Sequence, residues 1–256
     1  QVTATDNGTG TLTDVQDLTV TVTDVNDVPT VLASTSLANE DSAQTFFASD
    51  FTPQFTDVDG DSLTKIKITE LPNSDHGVLK FNDIAVSVDQ EFLTADLGSS
   101  LKFVPVTDWH GDASFKWKGS DGTEYSASAA TVTIDVQPMQ DPPTVSDFSE
   151  SGTENTPVTF TLTDFTDEFA DVDGESLTKI KITTLPDAAH GVLKLSGSAV
   201  TVDQEITAAQ IPSLEFVPLA DWDGDATFKW KGSDGVGWST TASTVTVQIA
   251  EDTNTA

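Results

Sequence analysis

Alternate carboxylates followed by glycine are the residues here most suited to chemistry. Asp57-Val58-Asp59-Gly60-Asp61 returns as Asp171-Val172-Asp173-Gly174-Glu175. Asp108-Trp109-His110-Gly111-Asp112 returns as Asp221-Trp222-Asp223-Gly224-Asp225, and Ser120-Asp121-Gly122 as Ser233-Asp234-Gly235. Carboxylates set two apart ahead of a tight turn aim several oxygens at one point, which is what Ca²⁺ requires. Asp and Gly also serve plain turns, but recurrence of all three motifs in a chain short of basic partners favours a cation. A further stretch, Thr23-Asp24-Val25-Asn26-Asp27-Val28-Pro29, supplies two carboxylates and an amide oxygen within four residues. Its counterpart, Gln137-Pro138-Met139-Gln140-Asp141-Pro142-Pro143, keeps only Asp141 as an acid, so the first of the two is expected to bind Ca²⁺ more fully.

Other chemistries fit less well. The Asp57 run is not an EF-hand, because the long loop and its terminal Glu are missing and a strand starts at Leu63. Paired carboxylates also serve glycosidases, yet these acids sit in duplicated turns, whereas an active site is normally a single pocket. His76 and His190 each precede Gly at a strand start and have no second His nearby, and His110 is Asp223 in the other copy. No nucleophile motif or phosphate loop is present. The chain is therefore read as not an enzyme. Trp109 and Trp222 in acidic loops, with Tyr125 and Trp238 at matching positions, carry the second reading: an adhesion module for polysaccharide or homophilic contact. Rings that plug the ends of a fold are its bland counterpart.

Composition narrows the partners. The chain has 42 acidic residues against 11 basic ones, all of them lysine, for a net charge of −31. Nucleic acid is excluded, because phosphate binding needs clustered Lys and Arg, and anionic membrane surfaces repel such a chain. No apolar run approaches the ~18 residues of a membrane span, so no membrane insertion is expected. There is no cysteine, hence neither a disulfide framework nor a thiolate metal site; in an extracellular protein, bound metal is one other source of stability. Gln1 opens in mid-pattern with no signal peptide, as in a piece of a longer chain.

The elements that hold these motifs come in copies. Leu63 to Thr69 recurs unchanged as Leu177 to Thr183, and His76 to Lys80 as His190 to Lys194, both 114 residues on. Phe115 to Gly122 returns as Phe228 to Gly235, 113 residues on, so one residue is lost between the blocks, most simply around Gly98. The length suits about two domains, and the repeat divides the chain into modules 31–144 and 145–256. Residues 1–30 parallel the last strands and linker of an upstream copy, with Leu18 to Thr23 matching Ala130 to Asp135. Lys65-Ile66-Lys67-Ile68 alternates as a half-buried strand does, and so do Phe115 to Lys118 and Val132 to Val136. About seven strands per module with regular turns predict an all-β fold of immunoglobulin-like Greek-key sandwiches, with Pro29 and Pro142-Pro143 marking short linkers that set modules end to end. A single helical turn at Asp187 to His190 is the only helix expected.

With these residues assembled, the chain resembles the cadherin-like tandem repeats of large bacterial surface adhesins, the RTX type included. Asp24-Val25-Asn26-Asp27-Val28-Pro29 is similar to the cadherin Asp-x-Asn-Asp linker, and Asp57-Val58-Asp59 and Asp171-Val172-Asp173 to its Asp-x-Asp motif. Glu154-Asn155-Thr156-Pro157, and more weakly Asn39-Glu40-Asp41, resemble the Glu-Asn-x-Pro near a cadherin N-terminus; Ala4-Thr5-Asp6-Asn7-Gly8 resembles the Ala-x-Asp-x-Gly of the penultimate strand. The resemblance implies that Asp24, Asn26, Asp27, Asp57, Asp59 and Asp121 form one Ca²⁺ junction. It implies a second from Asp141, Asp171, Asp173 and Asp234, joined by Glu40 and Asp112. Pro138 in place of the first linker Asp, and the lack of a clear Asp-Arg-Glu motif, depart from eukaryotic cadherins and argue against full three-ion junctions. The resemblance further implies a calcium-stiffened extracellular spacer on a cell surface, partnered by Ca²⁺ and neighbouring repeats, in cell adhesion and biofilm formation.

Overall fold

A computed structural model describes residues 2–5, 8–10, 13–16, 19–23, 25–98 and 100–252. The chain divides into two compact units, Gln1–Pro138 and Met139–Ala256. In the first, β1 (Val2–Thr5) pairs antiparallel with β2 (Thr13–Gln16) as a ribbon. The module proper comprises β3 (Thr30–Val31), β4 (Ser34–Asn39), β5 (Gln44–Phe46), β6 (Phe55–Thr56), β7 (Lys65–Glu70), β8 (Gly77–Phe81), β9 (Ile84–Ala85), β10 (Glu91–Leu93), β11 (Leu101–Pro105), β12 (Gly111–Ser120) and β13 (Ala130–Gln137). The second unit repeats it as β14 (Thr144–Val145), β15 (Phe148–Thr153), β16 (Val158–Thr159), β17 (Phe169–Ala170), β18 (Lys179–Thr184), β19 (Gly191–Leu195), β20 (Ser198–Ala199), β21 (Gln204–Thr207), β22 (Leu214–Pro218), β23 (Gly224–Ser233) and β24 (Ser243–Ala250).

Each module is two facing sheets. One has five strands in the order β10-β7-β12-β13-β4, and the other four in the order β5-β11-β8-β9. The chain passes between them at nearly every connection, as a Greek-key sandwich requires. All ladders are antiparallel except β4 with β13 and β15 with β24, where the first long strand of a module lies parallel to its last. The alternation seen in the sequence is the inside–outside alternation of these strands: Ile66, Ile68, Phe115, Trp117, Val132 and Ile134 are buried within one core, and their counterparts within the other. Between Leu97 and Leu101 the first module has one residue more than the second has between Ile211 and Leu214, and all four of these side chains are buried.

Two expectations are corrected. Residues 187–190 form a plain turn closed by the His190 N–H to the Asp187 carbonyl at 2.9 Å. The helical turns lie elsewhere, at α1 (Ala48–Phe51), α2 (Thr94–Leu97) and α3 (Leu162–Thr166). A capping box opens α3, with the Thr161 N–H donating to Asp164 at 2.7 Å, a spacing that does announce a helix start. Residues 19–23, read as a strand, carry none. Val20 and Val22 are 72% and 85% exposed, whereas the matching Val132 and Ile134 are 2% and 0% exposed. The pattern is the same, but among the described residues only β13 has flanking strands and an opposed sheet to bury it.

The modules also differ at one seam. In the second, Phe148 stands edge-on to Phe165 with centroids 5.1 Å apart and to Trp230 at 6.1 Å. Its counterpart is Ser34, beside a gap of about 250 Å³ lined in part by Phe46, Phe51 and Val132. Ser34→Phe should seat a ring there and raise the thermal midpoint of the first module by roughly 5 °C, as ~1 kcal/mol of added apolar burial gives for a domain this size. An unchanged or lower midpoint by calorimetry would show that the seam does not accept it.

Candidate metal centre

The loop ahead of β7 turns on Asp57. Its Oδ1 accepts the N–H of Asp59 at 2.9 Å and of Asp61 at 3.3 Å, so the carboxylate caps its own turn. Asp59 Oδ2 accepts the Asp27 N–H at 2.7 Å, which ties the linker to this turn. From the loop after β12, Asp121 Oδ1 accepts the N–H groups of Thr123 at 2.5 Å and Glu124 at 2.8 Å, while Oδ2 receives the Asn26 amide at 3.1 Å. Burial pushes the Asp121 carboxyl up, but those donors together outweigh it and hold it below the usual range. Asn26, Asp27, Asp57, Asp59 and Asp121 are thus gathered at one pole of the first module. Asp24 lies outside the described residues.

The second unit builds the same group from the positions one repeat later. Asp171 Oδ1 accepts the N–H of Asp173 at 2.9 Å and of Glu175 at 3.4 Å, and Asp173 Oδ2 accepts the Asp141 N–H at 2.7 Å. Asp234 Oδ1 accepts the Val236 and Gly237 N–H groups, both at 2.6 Å. Gln140 stands where Asn26 does, its Nε2 3.3 Å from Asp173 and 3.4 Å from Asp234. Glu175 draws in as well: oxygens of Asp171, Asp173 and Glu175 lie within 4.8 Å of one another. A hydrogen bond to Asp171, then burial and the charges of Asp171 and Asp173, raise the Glu175 carboxyl above its ordinary value. Gln140 and Glu175 were not singled out from the sequence. The signal available was their place in the repeat, opposite Asn26 and Asp61.

Two oxygens test the fit of a hard cation. Asp57 Oδ2 and Asp171 Oδ2 are buried, and no amide, ammonium or alcohol donor of the described residues reaches them. A buried carboxylate oxygen without a donor is costly, and around Asp171 the oxygens of Asp173 and Glu175 lie within 4.8 Å. Ca²⁺, which takes six to eight oxygen ligands, fits this set in both modules; Cys is absent altogether.

The remaining named acids, Glu40 and Asp112, belong to the first unit. Glu40 is buried at 2% exposure, with its N–H on the Gln137 carbonyl at 3.0 Å and its carboxylate 3.6 Å from His110 Nδ1. Asp112 is on β12 directly opposite Asp135. Near Glu40, the Asp108 N–H donates to Asp41 Oδ1 at 3.1 Å; in the other copy Asn155 and Asp221 exchange two such bonds, at 3.1 and 3.2 Å. All four have positive φ, between 55° and 61°, a backbone state that Asn and Asp adopt more readily than other non-glycine residues.

The aromatic residues are already engaged. His76 stacks on Trp109 with centroids 4.3 Å apart and planes 12° off parallel, and His190 on Trp222 at 4.5 Å and 15°. Both indoles pack against their module's core.

The model of one family, described as a cadherin-like domain, matches residues 25–137 and again 139–250. The chain belongs to the cadherin-like domain family. Cadherin-like domains are typically extracellular, adhesion-related and Ca²⁺-binding, and typically non-enzymatic. Among solved structures, human protocadherin-24 EC1-2 is 14% identical, with 89% of this chain and 100% of that chain covered and a TM-score of 0.49. Protocadherin gamma B7 is 11% identical, with 90% and 53% covered and a TM-score of 0.46. A variant of the endo-fucoidan hydrolase MfFcnA4, from glycoside hydrolase family 107, is 19% identical, with 98% and 34% covered and a TM-score of 0.31. This chain thus spans about a third of that hydrolase's length. A search of curated proteins found no match. Among the described residues, no helix of this cadherin-like chain is long and apolar enough to cross a membrane.

Proposed function

We propose that these cadherin-like modules form a Ca²⁺-stiffened extracellular spacer of a bacterial cell-surface adhesin of the RTX type, acting in cell adhesion and biofilm formation. One observation carries the reading: a linker amide or its neighbour, an Asp-x-Asp turn and the Asp after the long β12 or β23 strand converge in both modules. We take Asn26, Asp27, Asp57, Asp59 and Asp121 as the first ligand group, with Asp24 assigned to it by the family motif. Gln140, Asp141, Asp171, Asp173, Glu175 and Asp234 form the second. Glu40 and Asp112 remain candidates on the family resemblance.

Bound Ca²⁺ supplies positive charge that cancels repulsion among these carboxylates. The protein supplies the rest. Backbone N–H groups fix one oxygen of Asp57, Asp121, Asp171 and Asp234. The other oxygen of Asp57 and Asp171 is left for the ion, and that of Asp121 and Asp234 holds the linker amide of Asn26 or Gln140, which the ion would displace. The linker N–H on Asp59 or Asp173 holds the entering chain against its own module, so a filled site stops the linker from swivelling. Extracellular modules bind Ca²⁺ with Kd on the order of 10⁻⁴–10⁻³ M, a range that keeps the sites filled outside cells. At ~100-fold excess over Kd each site contributes about 2.7 kcal/mol.

Thermal unfolding in excess EGTA and then across micromolar to ~10 mM Ca²⁺, with Mg²⁺ as control, tests this. The midpoint should rise by about 10 °C or more with Ca²⁺ only. The first module, with an acid at Asp27 and Asp24 both, should respond at lower Ca²⁺ than the second. An identical melt in EGTA and in 10 mM Ca²⁺ would remove the calcium reading, and with it the stiffened spacer.

A further inference from the structure

Lysine is scarce in this chain, yet each module sets two of them face to face. Lys118 on β12 is the register partner of Lys67 on β7, and Lys231 on β23 is the partner of Lys181 on β18. Like charges directly opposite destabilise a sheet, so both copies need something over the pair. In both it is the loop that starts at the Asp of Ser-Asp-Gly. The Tyr125 ring lies with its centroid 4.2 Å from Lys67 Nζ, and the Ala127 carbonyl accepts Lys118 Nζ at 2.8 Å. In the second module Trp238 lies 4.3 Å from Lys181 Nζ, and the Thr240 carbonyl accepts Lys231 Nζ at 2.9 Å. Glu91 completes the first arrangement at 2.8 Å from Lys67, and Glu205 the second at 3.7 Å from Lys181.

The turn that covers the lysines is also the turn that presents the carboxylate. A β-bridge joins Ser120 to Tyr125, and another joins Ser233 to Trp238. One residue further on, the Ser126 N–H reaches the Gly119 carbonyl at 2.8 Å, matched by Ser239 to Gly232 at 2.8 Å. Asp121 and Asp234 therefore sit inside a short closed loop whose far side is fastened to the sheet by a ring on an ammonium. Tyr in one copy and Trp in the other point to the π face, not the hydroxyl, as the fastening.

We propose that Tyr125 and Trp238 are positioning residues for the calcium group: each ring seats its loop on the lysine pair and so aims the Asp121 or Asp234 carboxylate at the ion. The inference rests on the calcium reading above and adds what sets the affinity of each site.

Calorimetric titration of the whole chain with CaCl₂ tests it. The double variant Tyr125→Leu, Trp238→Leu should bind about tenfold more weakly. The exchanged variant Tyr125→Trp, Trp238→Tyr should stay within about twofold of the parent, since a ring is restored at each place. An unchanged Kd in the leucine variant overturns the proposal, even where its midpoint in EGTA falls, because the ring would then be merely structural. Exchanged rings that bind as weakly as leucine overturn it too. Should the leucine variant be unfolded in EGTA by circular dichroism, Lys67→Met with Lys181→Met takes its place, with the same loss expected and the same unchanged Kd counting against it. A parent chain that gives no Ca²⁺ heat at all overturns the calcium reading itself; a parent that binds, beside a leucine variant that binds equally, overturns only the role of the rings.

Discussion

Asp171→Asn should lower the unfolding midpoint of the second module in saturating Ca²⁺ while raising it in EGTA. The opposite signs come from the two jobs of this side chain. Asn keeps an Oδ1 that can still accept the Asp173 and Glu175 N–H groups, so the turn survives. What it loses is a charge. With no cation, Asp171, Asp173 and Glu175 crowd within 4.8 Å, and removing one negative charge relieves repulsion. With a cation, the same change takes away a ligand from a set that needs hard, charged oxygens. At ~100-fold excess over Kd the loss approaches the 2.7 kcal/mol of one site, roughly 10 °C for a domain this size. Asp57→Asn should behave alike in the first module. Differential scanning calorimetry in both media reads the two signs together; a fall in both would mean that Asp171 is only a turn residue.

Gly191→Ala should cost the second module about 3 kcal/mol or more, by the typical scale of overpacking a close core with backbone strain added. A Cβ at this position would run into the Val217 carbonyl oxygen and lie 2.6 Å from Phe216 Cζ. Neither can yield: the oxygen belongs to the strand paired with β19, and Phe216 is fully buried. Gly77 is held the same way, 2.5 Å from Phe103 and from the Val104 oxygen. Gly174→Ala is the control. Its φ is +84°, but nothing lies within 4 Å of its Cβ, so only strain of about 1–2 kcal/mol remains. Urea unfolding should show the midpoint of Gly191→Ala reduced by well over ~1 M. A shift no larger than that of Gly174→Ala would mean that β19 can move away from β22.

The repeated His-Gly pair shows how far the sequence could be read. The glycine's recurrence was visible, but its reason is the approach of Phe216 or Phe103 from a strand more than twenty residues away, which no local pattern encodes. The histidine's place before Gly at a strand start is equally visible; that it stacks on Trp109 or Trp222 again depends on a distant partner. Strand identity was legible in Lys65 to Ile68 and Val132 to Val136 because alternation is a local consequence of burying one face. The same alternation misled at Val20 and Val22, which no sheet of the described residues covers. For the metal groups, Asp-x-Asp and Ser-Asp-Gly stood out because each closes its own turn. Gln140 did not, since an amide in a linker acquires meaning only once it is found beside Asp173 and Asp234.

The parallel pairing of the first and last long strands decides how a module would answer tension. β4 and β13 share six register pairs, from Ser34 with Val132 to Asn39 with Gln137, and β15 and β24 share six more. Because the two strands run the same way, the chain enters at one end of the pair and leaves at the other. A pull on both ends slides one strand along the other, so all the hydrogen bonds between them bear the load together. An antiparallel pair of terminal strands would take the load at one end and part rung by rung. Each module is thus fastened along its whole length, with its oxygen-lined turn where the incoming chain takes the strain.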